Sequence, residues 1–254
     1  MKIEKIKKIK NQYKIILEGD IEITTYDEVI IKNNILYKKD IDEKTIEEIK
    51  KQNEYYETYN MVLKYINKKI RSEYEIKEYI KKQNINTETE HKIIKKLKES
   101  KIINDLNYTK AYIHDRIKFS TDGPQKIKKE LIKNKIDENI INNELEKIDK
   151  EELIKKLEKL INKKIKTNKT YSKKMLEQKL TTYFMNLGYK KEDIMTIIDN
   201  NIVEDNEIIK KEYDKLYNKL KNKYEKEKLI QIIKQKLYQK GFKIEQINNI
   251  KKDS

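Results

Sequence analysis

The chain has 254 residues, of which 41% are charged and 36% hydrophobic, and its net charge is +16 at pH 7. This composition excludes one deep globular core and favours a thin core spread along the chain. Four glycines, one proline and no cysteine leave few tight turns and exclude disulfides and thiolate chemistry. No apolar run reaches the roughly 18 residues of a membrane span. We expect long helices with short connections in a soluble, cytoplasmic monomer that does not contact membranes.

The positive charge is unevenly distributed. Residues 1–60 carry 12 lysines and 13 acidic residues, a net of −1, so the rest of the chain carries +17. Residues 107–149 carry only +1, whereas 61–106, 150–203 and 204–254 carry +5, +6 and +5. A basic excess over an extended body favours a polyanionic partner such as DNA, single- or double-stranded. Lysine drift in an AT-biased genome is the alternative.

The first 41 residues predict a small β-rich module. Residues 14–17 and 21–26 flank the turn residues 18–20 and predict a β-hairpin. The isoleucines before residue 10 fit either a third strand or a helix, and residues 27–31 begin a helical turn. Because a hairpin is barely stable alone, we expect residues 1–41 to dock on the segment that follows.

A long helix and a series of related units follow. Asp42 is the predicted N-cap, Thr45 with Glu48 is an alternative start, and helical spacing continues to about Ile70. Beyond it, an amphipathic helix, a turn residue, an apolar residue and another helix recur four times. The apolar residues are Ile85, Ile136, Tyr189 and Phe242, which are 51, 53 and 53 residues apart. The residues before them, predicted to adopt the left-handed helix-ending conformation, are Asn84, Lys135, Gly188 and Gly241.

Each repeat holds three helices in about 50 residues, like a three-helix bundle. The predicted third helices are 88–100, 138–148, 191–200 and 244–252. The predicted segments are 42–106 (linking helix and first repeat), 107–149 (second), 150–203 (third) and 204–254 (fourth). The predicted fold is mainly α: tandem three-helix-bundle repeats in an elongated, curved array, with a small N-terminal β-hairpin module. Generic self-similarity in a biased sequence is the alternative.

Signals of enzymatic chemistry are weak. His91 and His114 have no metal-ligand spacing, and neither GxGxxG nor GxxxxGK[ST] occurs. The carboxylates lie among lysines on helical faces, where surface ion pairing is their default role. We predict no catalytic residue, metal or cofactor.

Arginine is more informative than lysine, because only Arg71 and Arg116 remain in this lysine-rich chain. A guanidinium offers a planar fork that an ammonium lacks. Arg71 precedes Ser72, which with Glu75 predicts a capping box. For both arginines, ion pairing between neighbouring helices and contact with a partner remain alternatives.

The run from Lys159 to Leu176 is a third candidate. It contains seven lysines and no acidic residue, with Tyr171 among them. A flexible basic segment with an aromatic side chain suits tracking a phosphate backbone and stacking a base. A solvated interhelical loop is the alternative.

Residues 104–136 carry a motif that identifies a family. It reads Asp105, Tyr108-Thr109, Tyr112, Arg116, Gly123-Pro124, Ile127, Glu130-Leu131 and Ile136. This order resembles the central repeat of the RecX family, small regulators of the RecA recombinase. The first repeat resembles the family through Arg71-Ser72-Glu73 and Ile76. Lys135, where the family prefers glycine, and Ile70 before Arg71 are departures. The resemblance covers about residues 60–200 well and the two ends more loosely.

The resemblance implies a regulator without catalytic residues, active in homologous recombination, DNA repair and the SOS response. Family members lodge in the helical groove of the RecA–DNA filament, limit its growth or promote its disassembly, and lower ATPase and strand exchange. A general helical DNA-binding protein is the alternative. The candidate partner-binding residues are Arg71, Tyr112, Arg116, Lys118, Lys126, Lys163, Lys164, Lys166, Lys169, Tyr171 and Lys173.

Overall fold

The computed structural model describes residues 1–10, 12–168, 170–202 and 206–250. The described part contains one three-stranded sheet and thirteen α-helices, which confirms the predicted mainly α class with an N-terminal β module. The chain divides into two compact units, Met1–Tyr108 and Thr109–Ser254, called here the N-terminal and C-terminal units.

The N-terminal sheet is antiparallel, with its strands in sequence order. Strands β1 (Ile3–Ile9), β2 (Gln12–Leu17) and β3 (Ile21–Tyr26) form two successive hairpins, and Ile15 lies opposite Ile23. The predicted hairpin is confirmed. The isoleucines before residue 10 form a strand rather than a helix, because β1 completes the ladder of β2.

The sheet packs on the helices that follow it. Helix α1 (Asp27–Lys32) and a short 3-10 turn (Ile35–Tyr37) lead into α2 (Glu43–Ile66). One core cluster contains the fully buried residues Ile15, Leu17, Val29, Ile35 and Ile49. Because Ile49 belongs to α2, the predicted docking of the β module on the following segment is confirmed.

Helix α2 begins and ends at defined caps. The Thr45 N–H donates to Asp42 Oδ1 at 2.8 Å, so Asp42 is the N-cap and the alternative start at Thr45 is not used. The helix ends at Ile66, four residues before the predicted Ile70. It stops early because Ser72 begins a new helix and the chain must turn before it.

Eleven further helices follow α2. They are α3 (Glu73–Lys81), α4 (Thr87–Glu99), α5 (Asp105–Phe119), α6 (Pro124–Lys133), α7 (Glu138–Leu145), α8 (Lys150–Thr167), α9 (Lys173–Asn186), α10 (Lys191–Asn201), α11 (Asn206–Leu220), α12 (Lys226–Gln239) and α13 (Ile244–Asn249). The predicted third helices are α4, α7, α10 and α13, each within three residues of the predicted ends. The predicted end of the last one, residue 252, lies outside the described residues. The predicted segment boundaries stay a prediction.

The four predicted helix-ending residues all adopt the left-handed conformation. Their φ angles are 56° at Asn84, 56° at Lys135, 90° at Gly188 and 88° at Gly241. After the last three, the N–H of the closing apolar residue donates to the carbonyl five residues earlier, as in a Schellman motif. The recurrence is therefore a shared backbone geometry and not only a similarity of composition.

The apolar residues are distributed among separate clusters, as the composition predicts. Helices α2 to α4 enclose one cluster, α8 to α10 a second and α11 to α13 a third. The fully buried members of these clusters are Val62, Ile76, Ile80, Ile93, Leu97, Leu157, Ile161, Ile194, Ile198, Ile233 and Leu237.

Candidate functional site

A backbone joint connects the turn before α6 with the end of α9. The Gly123 N–H donates to the Leu187 carbonyl at 2.6 Å, and the Gln125 N–H donates to the Gly188 carbonyl at 3.0 Å. A Cβ at Gly123 would lie 2.7 Å from the Gly188 carbonyl carbon, and one at Gly188 would lie 2.3 Å from the Lys126 nitrogen. Both positions therefore require glycine, because the backbones approach too closely for a side chain.

An equivalent joint recurs between the turn before α9 and the end of α12. The Ser172 N–H donates to the Lys240 carbonyl at 3.0 Å. A Cβ at Gly241 would lie 2.6 Å from Ser172 Oγ and 2.7 Å from Met175 Cβ. Two consecutive connections in the C-terminal unit thus use the same pairing of a helix N-cap with a left-handed helix end.

Arg116 is engaged within the protein. Its guanidinium donates to Tyr112 Oη at 3.1 Å, lies 5.2 Å from the centre of that ring, and pairs with Asp122 at 3.3 Å. The hydrogen bond to Tyr112 is the largest cause that raises the pKa of Arg116, and the charge of Asp122 adds a smaller effect in the same direction. Lys126 pairs with the same carboxylate at 2.7 Å. These contacts match the internal ion-pair interpretation of Arg116 and place Tyr112 and Lys126 in the same cluster.

The turn that carries Asp122 is also held from α8, and the buried Tyr189 lies within the electrostatic influence of its carboxylate. Lys156 of α8 donates to the carbonyls of Ile117 at 2.6 Å and Asp122 at 3.4 Å, and burial lowers the pKa of this lysine. Tyr189 is buried, and its Oη has no hydrogen-bond partner among the described residues. Burial, and secondarily the charge of Asp122, raises the pKa of Tyr189 to about 12. The Gly-Pro turn is therefore a rigid junction.

Arg71 is also engaged within the protein, although its buried Nε has no hydrogen-bond partner among the described residues. Its guanidinium lies 4.1 Å from the centre of the Tyr65 ring and pairs with Glu75 at 3.1 Å. Glu75 also accepts the Ser72 N–H at 3.1 Å, while Ser72 Oγ accepts the Glu75 N–H, so the predicted capping box is confirmed. With its side chain only 15% exposed, Arg71 positions the start of α3.

Asp105, the first residue of the family motif, also acts on α3. One of its carboxylate oxygens accepts the Glu73 N–H at 2.9 Å, which satisfies an N–H that the first turn of a helix leaves free. Burial raises the pKa of Asp105, and this hydrogen bond opposes the rise. The motif residue therefore has a structural role between α5 and α3, a role that its spacing in the sequence did not reveal.

The basic run is mostly helical, contrary to both sequence interpretations of it as a flexible segment or a loop. Residues up to Thr167 belong to α8, since apolar residues at helical spacing, among them Leu157 and Ile161, bury this helix in the core. Lys163 and Lys166 are exposed and Lys164 is half-buried on its last turns.

The other candidates of the run are not brought together with these three lysines. Tyr171 packs against the core of α8 to α10, and the Lys179 ammonium lies 4.5 Å from its ring centre. Lys173 is half-buried and pairs with Glu177 at 4.0 Å. Lys118, which is exposed, lies on α5, and Lys169 lies outside the described residues.

A cleft beside the first joint brings two of the predicted lysines together with residues that sequence reasoning missed. Its volume is about 370 Å³, and its lining residues are Thr121, Leu160, Lys163, Lys164, Thr167, Tyr183, Phe184 and Leu187. The Lys164 ammonium lies 4.4 Å from the centre of the Tyr183 ring. Tyr183 belonged to the repeat pattern only as an ordinary residue of the helix, so no spacing signal distinguished it from a core residue.

The part of the chain that the structure describes contains neither a metal-binding cluster nor a membrane-spanning helix. No group of three or more His, Cys, Asp or Glu side chains is arranged to hold a metal ion. None of the described helices combines the length and hydropathy of a membrane span.

The fold and the cleft define a class: a helical-repeat protein with an N-terminal antiparallel sheet and a basic, aromatic cleft. Comparison with known proteins identifies the family within this class. Residues 104–145 match the family model for the second three-helix domain of RecX. A Listeria monocytogenes serotype 4a protein named "Regulatory protein RecX" is 31% identical over 261 residues, covering 98% of this chain and 95% of its own. A protein of the same name from Streptococcus agalactiae serotype III is 30% identical over 254 residues, covering 98% of this chain and 98% of its own.

Solved structures agree with these sequence relationships. A crystal structure of the regulatory protein RecX matches with a TM-score of 0.67 and 25% identity, covering 78% of this chain and 98% of its own. The RecX of Lactobacillus salivarius matches with a TM-score of 0.52 and 26% identity, covering 57% and 95%. The chain belongs to the RecX family of regulatory proteins.

Proposed function

We propose that this protein regulates the RecA recombinase by binding the RecA–DNA filament in its helical groove. Bound there, it limits filament extension or promotes disassembly, and it thereby reduces ATPase and strand exchange. The observation that carries the proposal is the relationship over nearly the whole chain to proteins named as RecX regulators. The protein acts by binding, without a cofactor.

The repeat structure supports binding to a filament. In the C-terminal unit, two equivalent backbone joints connect consecutive three-helix segments, so that similar surfaces recur along the chain. Several modest contacts with successive protomers add up through effective concentration, because each bound segment holds the next near its own site. A regulator built from repeats therefore needs no single strong contact.

The candidate residues divide into two roles under this proposal. Lys163, Lys164 and Lys166 contact DNA or acidic filament surface, since no described carboxylate pairs with them. Lys118 is exposed and serves the same role from α5. The remaining candidates near the junctions, Arg71, Tyr112, Arg116 and Lys126, position the helices. Lys169, Tyr171 and Lys173 remain proposed contacts of the C-terminal unit.

The alternative is general DNA binding through positive charge, which the net charge of +16 favours. Affinity for naked single-stranded DNA and for preassembled RecA filament, measured by fluorescence anisotropy across a salt series, separates the two. The filament regulator binds the filament more tightly than naked DNA and loses less affinity with salt. The alternative predicts equal or weaker filament binding and a steep log–log salt slope of about −0.7 per phosphate neutralised on a single strand.

A further inference from the structure

The cleft beside the Gly123–Leu187 joint has the parts of a nucleotide-binding subsite. Lys163 and Lys164 line it together with Tyr183, Leu160 and Phe184, of which Phe184 is almost completely buried. Its volume of about 370 Å³ falls within the range of small-ligand clefts. Two cations, an aromatic ring and apolar side chains therefore line the same cleft.

The two lysines are available to an anion. Among the described residues, no carboxylate lies within ion-pair distance of Lys163 or Lys164, whereas Lys155 and Lys173 on either side of them are paired with Glu151 and Glu177. The Lys164 ammonium instead lies over the Tyr183 ring at 4.4 Å, which stabilises the cation without neutralising it. A phosphate that approaches the cleft thus meets two uncompensated positive charges.

Tyr183 is available to an apolar, planar ligand. It is 42% exposed, and Phe184 next to it is 1% exposed and meets it edge-on at 5.0 Å between ring centres. The buried Phe184 anchors this part of α9 in the core, so the Tyr183 ring is presented at the surface on a rigid support. An aromatic ring in this setting stacks planar groups whatever their hydrogen-bonding pattern.

Two residues that line the cleft belong to the backbone joint or its turn. Thr121 lies in the turn that the Gly123 joint fastens to Leu187, and Leu187 itself lines the cleft. The joint that requires glycine at positions 123 and 188 therefore directly adjoins the cleft.

We propose that this cleft is a base-stacking subsite for single-stranded DNA, in which one base displaces the Lys164 ammonium from the Tyr183 ring and its phosphate is held by Lys163 and Lys164. The inference rests on the proposed function for the presence of DNA. Single-stranded DNA is favoured over a duplex because only an unpaired base is free to leave its neighbours and stack on a side chain. It is favoured over an acidic peptide because carboxylates would use the lysines and leave the ring and apolar side chains unused.

The test compares two oligonucleotides on the same protein. One is an oligothymidylate, and the other has the same length and phosphates but abasic sugars. Wild-type protein binds the oligothymidylate at least about fivefold more tightly, the effect expected of one stacked base. Tyr183→Ala abolishes this preference while affinity for the abasic strand stays unchanged, and Tyr183→Phe keeps the preference because the ring remains.

Tyr217→Ala is the matched control, since Tyr217 is also 42% exposed and lies outside the cleft. It leaves the preference intact. Lys163→Gln with Lys164→Gln weakens binding of both strands alike and makes the salt slope shallower. A wild-type protein without base preference, or a preference that survives Tyr183→Ala, overturns the proposal. Because each comparison is a ratio within one variant, partial loss of folding does not imitate the expected result.

The effect on RecA is read separately. If wild-type protein lowers RecA ATPase but shows no base preference, the subsite fails and the proposed function stands. If the base preference depends on Tyr183 but RecA activity is unaffected, the proposed function fails and the stacking subsite is retained.

Discussion

Gly123 and Gly188 meet backbone to backbone: a Cβ on Gly123 would lie 2.7 Å from the Gly188 carbonyl carbon. The contact joins the N-cap of α6 to the left-handed residue that ends α9, where φ is 90°. Two of the four glycines in the chain are thus explained by a single contact. The same joint includes Leu187, which lines the basic cleft, so the candidate binding site lies directly beside this packing contact.

Gly188→Ala is expected to destabilise the C-terminal unit by about 2–5 kcal/mol, because it adds left-handed strain and a backbone clash. Its Cβ would lie 2.3 Å from the Lys126 nitrogen. The urea midpoint of unfolding, followed by circular dichroism, measures this loss. Gly19→Ala is the control: φ is 84° there but nothing lies within 4 Å of the added Cβ, so only about 1 kcal/mol of strain is expected. Equal losses of stability in the two variants would contradict the close backbone contact at Gly188.

Arg71→Lys is expected to cost about 1 kcal/mol of stability, since a lysine cannot stack on Tyr65 and pair with Glu75 at the same time. Thermal unfolding measures the change. Lys69→Ala is the control, because Lys69 also approaches Glu75, at 3.5 Å, but is 59% exposed and should change stability little. DNA affinity of folded Arg71→Lys protein should equal that of the wild type. If Arg71→Lys weakened DNA binding but left stability unchanged, Arg71 would be a DNA contact and not a residue that positions α3.

Lowering the pH should weaken the N-terminal turn of α3, because the Glu75 carboxylate that caps it becomes protonated. Burial by itself would raise the pKa of Glu75, but the Ser72 N–H, Arg71 and Lys69 outweigh it and lower the pKa below its ordinary 4.5. A lowered folded-state pKa stabilises the protein fully above pH 4.5, and this stabilisation disappears as pH falls through the folded-state value. The stability difference between wild type and Glu75→Gln, about 1 kcal/mol at pH 7, should therefore shrink below pH 4.5. Urea midpoints between pH 7 and pH 3 measure it.

Glu151→Gln is the control for acidification, because the Glu151 side chain is 84% exposed and pairs only at 3.5 Å with an exposed lysine. It should differ little from wild type at any pH. A difference between wild type and Glu75→Gln that stays constant from pH 7 to pH 3 would show that the charge of Glu75 has no part in the cap.

Reversing Lys163, Lys164 and Lys166 to Glu should weaken binding to both DNA and filament by tenfold or more, since each phosphate contact is replaced by repulsion. Reversing the exposed Lys219, Lys221 and Lys223 makes the same change in net charge far from the cleft in sequence. Electrophoretic mobility shift and filament co-sedimentation compare the two triple variants. Equal losses would favour binding through total charge, and unchanged binding of both ligands in the first variant would refute the cleft as a contact surface.

Much of the fold was predictable because its signals are local. Turn residues defined the hairpin, Asp42 and Ser72 defined helix starts, and the spacing of the closing apolar residues defined the repeats. Lys135 is a further example. Its place just before the closing apolar residue of the repeat predicted a left-handed conformation, and Lys135 adopts that conformation although lysine does not favour it.

The site was less predictable because its contacts are not local. The sequence indicated Tyr171 as the stacking aromatic, yet Tyr171 packs on the core and Tyr183, nearly twenty residues after Lys164, lies beside that lysine. Likewise, the rarity of arginine singled out Arg71 and Arg116 but could not say that they pair with Glu75 and Asp122 of the same chain. Which charges pair internally is decided by tertiary packing, which no spacing in the chain encodes.

The DNA-dependent ATPase of the cognate RecA, titrated with this protein, tests the proposed regulation of the filament most directly. We predict suppression at substoichiometric amounts, because a regulator that stops extension or promotes disassembly affects many protomers for each molecule bound. ATPase activity that stays unchanged while the protein binds DNA normally would contradict the account and leave general DNA binding as the better description.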